Sequence, residues 1–367
     1  MEFIFEAFLQ LQPTQIAMWL IGGLLIFLAI KKDIEPALLL PMGFGAILVN
    51  MPFSPVAADD GVLSLLFQWG IEAGEVMPLL LFIGIGAMID FGPLLSNPKL
   101  FLLGAAAQTG VFATMLLASA VGFSVNDAAA VSSIAAADGP TAILVAQKLL
   151  SSYAAPITVA AYSYMALAPI VQTATVKVCT TKKERAIKMK YSSAQAPKLL
   201  KIMFPVTVTV IAGLIAPQSL SLVGMLMFGN LLKECGVTKT LSDTAQTTLT
   251  NIITLLLGIT VSFQMRAELF IRLETLVVMM LGVFGFCIDV AAGVLCAKIM
   301  NLFCKEKINP VIGAAGISAF PMASRVAEKI GVKEDPSNHL LMHAAGANVS
   351  GQIASAIVGG LLIGLIG

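Results

Sequence analysis

The stretch VSSIAAADGPTAILVA, residues 131–146, sets one carboxylate, Asp138, between two apolar runs. Gly139-Pro140 follows it directly. Proline lacks a backbone donor and disfavours helix at the residue before it, so the spacing predicts a helix broken at Asp138–Gly139. A break frees carbonyl oxygens beside the carboxylate. That chemistry suits a small hard cation, which takes oxygen ligands. The same position is compatible with Asp138 capping a helix that starts at Pro140.

The surroundings make this a membrane question. Of 367 residues, 58% are hydrophobic and 12% charged, about half the charged fraction of soluble domains. The net charge of +1 excludes a basic nucleic-acid platform. Apolar runs recur at 15–30, 98–122, 155–178, 200–216, 247–264 and 274–299. Shorter or interrupted runs lie at 37–52, 77–89, 126–150, 218–232, 308–330 and 338–366. A span needs about 20 apolar residues, so the expectation is an all-α polytopic membrane protein of about ten to twelve segments, several of them discontinuous. An ionisable residue inside such a segment is costly and marks function. The N-terminal MEFIFEAFLQLQPTQ has no basic region and reads as mature sequence, an interfacial amphipathic helix.

Orientation follows the lysines. Thr181–Lys201 carries Lys182, Lys183, Arg185, Lys188, Lys190 and Lys198, which predicts the cytoplasmic side. This stretch also divides the chain into two expected membrane repeats, 1–195 around the Asp138 break and 196–367 around an Asn309–Arg325 motif and an Asn348 segment. AADGPTAILVAQKLL from Ala136 and SAFPMASRVAEKIG from Ser318 align at a constant offset. Pro140 falls on Pro321, Val145 on Val326, Ala146 on Ala327 and Lys148 on Lys329. Interrupted segments repeated in two halves, here of the inverted type, characterise transporter folds with a site near the midplane.

In the second half, INPVIGAAGISAFPMASR is interrupted at Asn309-Pro310 and Phe320-Pro321. Asn309 and Ser318 offer neutral oxygens, and Gly313 and Gly316 permit close helix approach. Arg325 could bind a carboxylate in bidentate fashion, or snorkel at a helix end. A third segment, HAAGANVSGQIASA, carries Asn348, Ser350, Gln352 and Ser355, and is expected to be unwound or tightly packed against the first break. Tyr164, in AYSYMALAP, needs a partner for its phenol if buried, unless it lies in an interfacial aromatic belt.

Other polar residues carry less. Cys179, Cys235, Cys287, Cys296 and Cys304 have no metal-site spacing and read as free thiols. His339 and His343 are one turn apart without a third ligand. Asp289, within an apolar run, is either a second ion-path carboxylate or a structural acid. Asn230 reads as a residue near a helix end. Phosphate loops, dinucleotide fingerprints and nucleophile elbows do not occur.

Together, GIGAMIDFGPLLSNP, AAADGPTAI, AYSYMALAPIVQ, FGNLLKECGV, NPVIGAAGISAFPMASRV and LLMHAAGANVSGQIASA resemble the β subunit of the biotin-dependent, sodium-translocating decarboxylases. That family includes the oxaloacetate, methylmalonyl-CoA and glutaconyl-CoA enzymes. The resemblance runs over nearly the whole chain. It implies a bacterial inner-membrane subunit that decarboxylates carboxybiotin, consumes a proton and exports Na+. It also implies a biotin carrier protein, a carboxyltransferase α subunit, a small membrane γ/δ subunit, bound lipid and a homo-oligomer. By the same resemblance Asp138, Tyr164 and Arg325 are catalytic. Asp138, Asn309, Ser318, Asn348 and Tyr164 bind sodium, while Gly139, Pro140 and Gly313 shape the breaks. Gly346-Ala347-Asn348 stands where family members more often read GPN, which puts the strength of the third break in question. The competing expectation is a sodium-coupled secondary transporter with inverted repeats and no chemistry.

Overall fold

The computed structural model describes residues 9–33, 35–189 and 196–367. Residues 1–8 of the expected interfacial helix and 190–195 of the basic stretch lie outside them. Every regular element among the described residues is helical. The longer helices are α1 (Pro13–Lys32), α2 (Pro36–Val49), α3 (Val76–Met88), α4 (Thr109–Val121), α5 (Val125–Ser132), α6 (Gly139–Lys148) and α7 (Ala154–Cys179). They continue with α8 (Lys198–Ile215), α9 (Leu220–Glu234), α10 (Thr250–Val261), α11 (Leu273–Phe303), α12 (Met322–Glu334) and α13 (Leu341–Ile366).

Six helices among the described residues are long and apolar enough to cross a membrane, or up to eight if each bent pair is one span. The ten to twelve segments expected included shorter and interrupted runs, which a count of long apolar helices leaves out. The runs 126–150 and 308–330 fold as short helices on either side of a break, so neither supplies a continuous crossing.

Small residues set the helix contacts. Gly22 of α1 and Gly43 of α2 face each other, and a Cβ on either would stand 2.6 Å from the other's carbonyl oxygen. Gly86 of α3 packs on the Leu226 carbonyl of α9, and Gly229 of α9 packs on the Ile83 carbonyl of α3. Asn230 then donates from Nδ2 to the carbonyls of Gly86 (3.3 Å) and Ile89 (3.0 Å), closing the last turn of α3. In a bilayer such contacts replace the hydrophobic drive that lipid tails cannot supply.

α11 is the central element. Its 31 residues span about 45 Å at ~1.5 Å per residue, longer than a ~30 Å hydrocarbon core. It packs on α4 and α7 and on two 3₁₀ segments, Ser133–Ala136 and Pro310–Gly316. α7 bends by 65° between Pro156–Tyr164 and Leu167–Cys179. Pro169, inside that helix, removes a hydrogen bond and crowds the preceding turn, which accounts for the bend.

α13 is continuous through Gly346-Ala347-Asn348, not unwound. Ala347 keeps the backbone donor that proline would remove, so the helix ladder survives. His339 pairs through Nδ1 with Glu328 Oε1 at 2.8 Å, and Glu328 Oε2 accepts from the amides of Leu340 and Leu341 at the start of α13. The five cysteines are free thiols.

Candidate functional site

The first break forms as the sequence predicts. The 3₁₀ turn Ser133–Ala136 ends at Ala137, whose φ of 53° is left-handed, and Asp138 is extended at φ −122°. α6 then starts at Gly139-Pro140. The carboxylate of Asp138 is buried, at 3% exposure. Its Oδ2 accepts from Thr141 Oγ1 at 2.6 Å, Ser355 Oγ at 2.7 Å and Gln352 Nε2 at 3.3 Å. Thr141 comes from the first turn of α6; Gln352 and Ser355 come from α13.

No basic side chain among the described residues pairs with Asp138. Removing an ion from water costs several kcal/mol. Each hydrogen bond to a charged group returns about 1.5–3 kcal/mol. The bonds orient the carboxylate and offset part of its burial, and its counter-charge is left to a mobile ion or a proton.

The second break faces the first. Pro310–Gly316 is a 3₁₀ segment, and Ile317 beyond it is extended. The Ser318 amide donates to the Ala136 carbonyl at 3.2 Å, and Ser318 Oγ donates to the Gly351 carbonyl at 3.1 Å. Asn348 of α13 donates from Nδ2 to the Ile317 carbonyl at 2.6 Å. Its Oδ1 is buried without a partner. Gly313 packs on Gly293 of α11 so closely that a Cβ on either would run into the other's carbonyl. Asp138, Ser318 and Asn348 are thereby gathered at one junction of α6, α13 and the two 3₁₀ segments.

Other expected site residues stand elsewhere. Asn309 is fully buried, but its Nδ2 donates to the carbonyls of Arg185 and Ile187, both at 2.8 Å, and its Oδ1 accepts from the Val311 amide at 3.0 Å. It fastens the second break to the basic segment. Tyr164 donates its hydroxyl to the Met279 carbonyl of α11, in an apolar cluster with Ile134, Val278 and Leu281. Arg325 is exposed on α12. Asp289 accepts from the Gly110 amide at 2.5 Å, capping the first turn of α4. Its Oδ2 is buried without a partner.

Two residues near the carboxylate escaped the sequence reading. Thr141 stands three residues after Asp138, a capping spacing that could have flagged it. Tyr162 lies two residues before Tyr164, on a different face of α7, and its ring abuts Gly139.

On one flank of the molecule, Asp90 pairs with Lys201 Nζ at 3.2 Å and accepts from the Gly92 amide at 2.8 Å. Partial burial pushes its carboxyl up, but the Gly92 amide and the Lys201 ammonium outweigh this and hold it below the usual range.

Residues 14–366 match the family described as the Na+-transporting oxaloacetate decarboxylase beta subunit. The chain belongs to this family. It is 46% identical to the methylmalonyl-CoA decarboxylase subunit beta of Propionigenium modestum, over 98% of this chain and 97% of the relative. It is 45% identical to the glutaconyl-CoA decarboxylase subunit beta of Acidaminococcus fermentans, over 95% and 92%. With the oxaloacetate decarboxylase beta chain of Klebsiella pneumoniae it shares 42% identity, over 97% and 96%. Membership makes the chain a membrane subunit of a Na+-transporting decarboxylase, a component of a multi-subunit complex. The relatives' names differ in the acid they act on while the β subunit stays similar throughout.

Proposed function

We propose that this chain decarboxylates carboxybiotin presented by a biotin carrier protein and couples that step to Na+ export through Asp138, with one proton consumed. The observation that carries the reading is a buried carboxylate held by Thr141, Gln352 and Ser355 with no basic partner among the described residues. A sodium ion is the cargo that completes such a site. The unpartnered Asn348 Oδ1 is an oxygen suited to it. Sodium and proton compete for the same carboxylate, because a bound cation lowers its proton affinity. That competition links transport to the proton that decarboxylation consumes.

Carboxybiotin is held by the partner, and this chain supplies the surface that receives it. Arg325, exposed on the helix that begins just after the second break, suits the carboxylate of the carried group. Moving that carboxylate out of water favours loss of CO2. The two breaks, one in 1–195 and one in 196–367, support the reading of two inverted repeats meeting at the site. The complex then comprises this subunit as a homo-oligomer, with the carrier, a carboxyltransferase α subunit and a small membrane γ/δ subunit in the bacterial inner membrane.

The test is sodium uptake into vesicles holding the purified complex. Avidin, which sequesters biotin, is expected to stop both decarboxylation and uptake. Uptake that continues with avidin bound contradicts the proposal.

A further inference from the structure

Tyr162 and Tyr164 sit on the same helix and are both 1% exposed, yet their hydroxyls fare differently. Tyr164 donates to the Met279 carbonyl. The Tyr162 hydroxyl is buried with no hydrogen-bond partner. A buried phenol normally finds one, and leaving it without costs about 1–3 kcal/mol. Such a cost is tolerated where the partner comes and goes.

The position of the ring says which partner. It lies against Gly139, the residue after Asp138. A Cβ at Gly139 would stand 2.6 Å from the ring's Cε1 and 2.8 Å from Cζ, the atom that carries the hydroxyl. Glycine is therefore required there for the phenol to approach the break. A second orphaned oxygen, Asn348 Oδ1, belongs to the same junction. Two unpartnered neutral oxygens around a carboxylate that lacks a basic partner describe a site for a small hard monovalent cation.

We propose that the Tyr162 hydroxyl oxygen is a ligand of the cation held at Asp138, placed there by the contact of its ring with Gly139. This rests on the reading of Asp138 as the sodium carboxylate. It adds a neutral oxygen ligand to that carboxylate's shell. Tyr162 contributes a neutral lone pair and keeps its proton throughout.

The experiment is a sodium titration of the intact decarboxylase complex carrying Tyr162→Phe, with potassium holding ionic strength constant. Phenylalanine keeps the ring and removes only the oxygen, and it relieves the orphaned hydroxyl, so the variant should fold. Two quantities are read: the sodium concentration for half-maximal decarboxylation, and the rise in melting temperature that sodium produces. The expected result is a roughly tenfold higher half-saturating sodium, about 1.4 kcal/mol, with a smaller change in kcat and a reduced sodium-induced rise in melting temperature. Wild-type values for both quantities would overturn the proposal. Asp138→Asn is titrated in parallel. If it loses the sodium response while Tyr162→Phe keeps it, the ligand assignment alone fails. If Asp138→Asn keeps the response, the sodium reading of Asp138 fails as well.

Discussion

Ser318 and Ala136 are joined by a backbone hydrogen bond of 3.2 Å, amide to carbonyl, across residues far apart in the chain. Ala136 ends the 3₁₀ turn before Asp138, and Ser318 follows the 3₁₀ segment Pro310–Gly316. A backbone group freed by one helix break is thus satisfied by the other. In a membrane, where water is scarce, an irregular segment needs such a partner. The two breaks form one unit, and a shift in either moves the backbone next to Asp138.

Ser355 gives the most direct handle on the carboxylate. Its hydroxyl donates to Asp138 Oδ2 at 2.7 Å from a separate helix. Ser355→Ala removes one bond to a charged group, worth about 1.5–3 kcal/mol. The expected outcome is a sodium half-saturation raised about tenfold or more, read from the sodium dependence of decarboxylation. Ser337, exposed and hydrogen-bonded to Asp335 at 2.7 Å, serves as the control, and Ser337→Ala should leave that dependence in place.

Much of this site was legible in the sequence. Gly139-Pro140 announced the first break, and Asn309-Pro310 with Phe320-Pro321 announced the second, because proline's effect on the backbone is local. Asp138 stood out because a charge between apolar runs has few explanations. What local pattern could not supply was the facing of side chains. Tyr162 and Tyr164 look alike in AYSYMALAP, and only the packing of α7 decides which phenol meets the break. Asn309 carries a suitable oxygen, yet its Oδ1 accepts from the Val311 amide while its Nδ2 is held by the carbonyls of Arg185 and Ile187. The number of membrane segments depends on how the split runs 126–150 and 308–330 are counted, and hydropathy alone does not decide that.

Gly313 and Gly293 test the packing that holds the second break. Each glycine's missing Cβ is occupied by the other's backbone carbonyl, which has no flexible end to move aside. Overpacking of this kind costs about 1–3 kcal/mol or more. Gly313→Ala and Gly293→Ala should each lower the melting temperature of the detergent-purified complex and reduce the yield of assembled protein. Gly23 of α1 has nothing within 4 Å of an added Cβ, so Gly23→Ala should melt as wild type.

Asp289 discriminates a structural acid from an ion-path acid. Its Oδ1 accepts from the Gly110 amide, and its Oδ2 is buried without a partner. Asparagine retains the accepting oxygen and carries no charge, so Asp289→Asn should fold and keep sodium-dependent turnover. Asp289→Leu leaves the Gly110 amide without that acceptor, a loss of about 1–3 kcal/mol, and should melt at a lower temperature. Loss of sodium coupling in well-folded Asp289→Asn would place this residue on the ion path instead.

The central claim is that Asp138 binds the transported sodium, and Asp138→Asn in the reconstituted complex tests it most directly. Asparagine keeps the size and an accepting oxygen while removing the charge that needs a cation. The measurement follows carboxyl transfer to biotin, carboxybiotin decarboxylation and sodium uptake in the same preparation. The predicted result is intact carboxyl transfer, with sodium-stimulated decarboxylation and sodium uptake both abolished. Sodium-stimulated turnover with uptake near the wild-type rate would contradict the account.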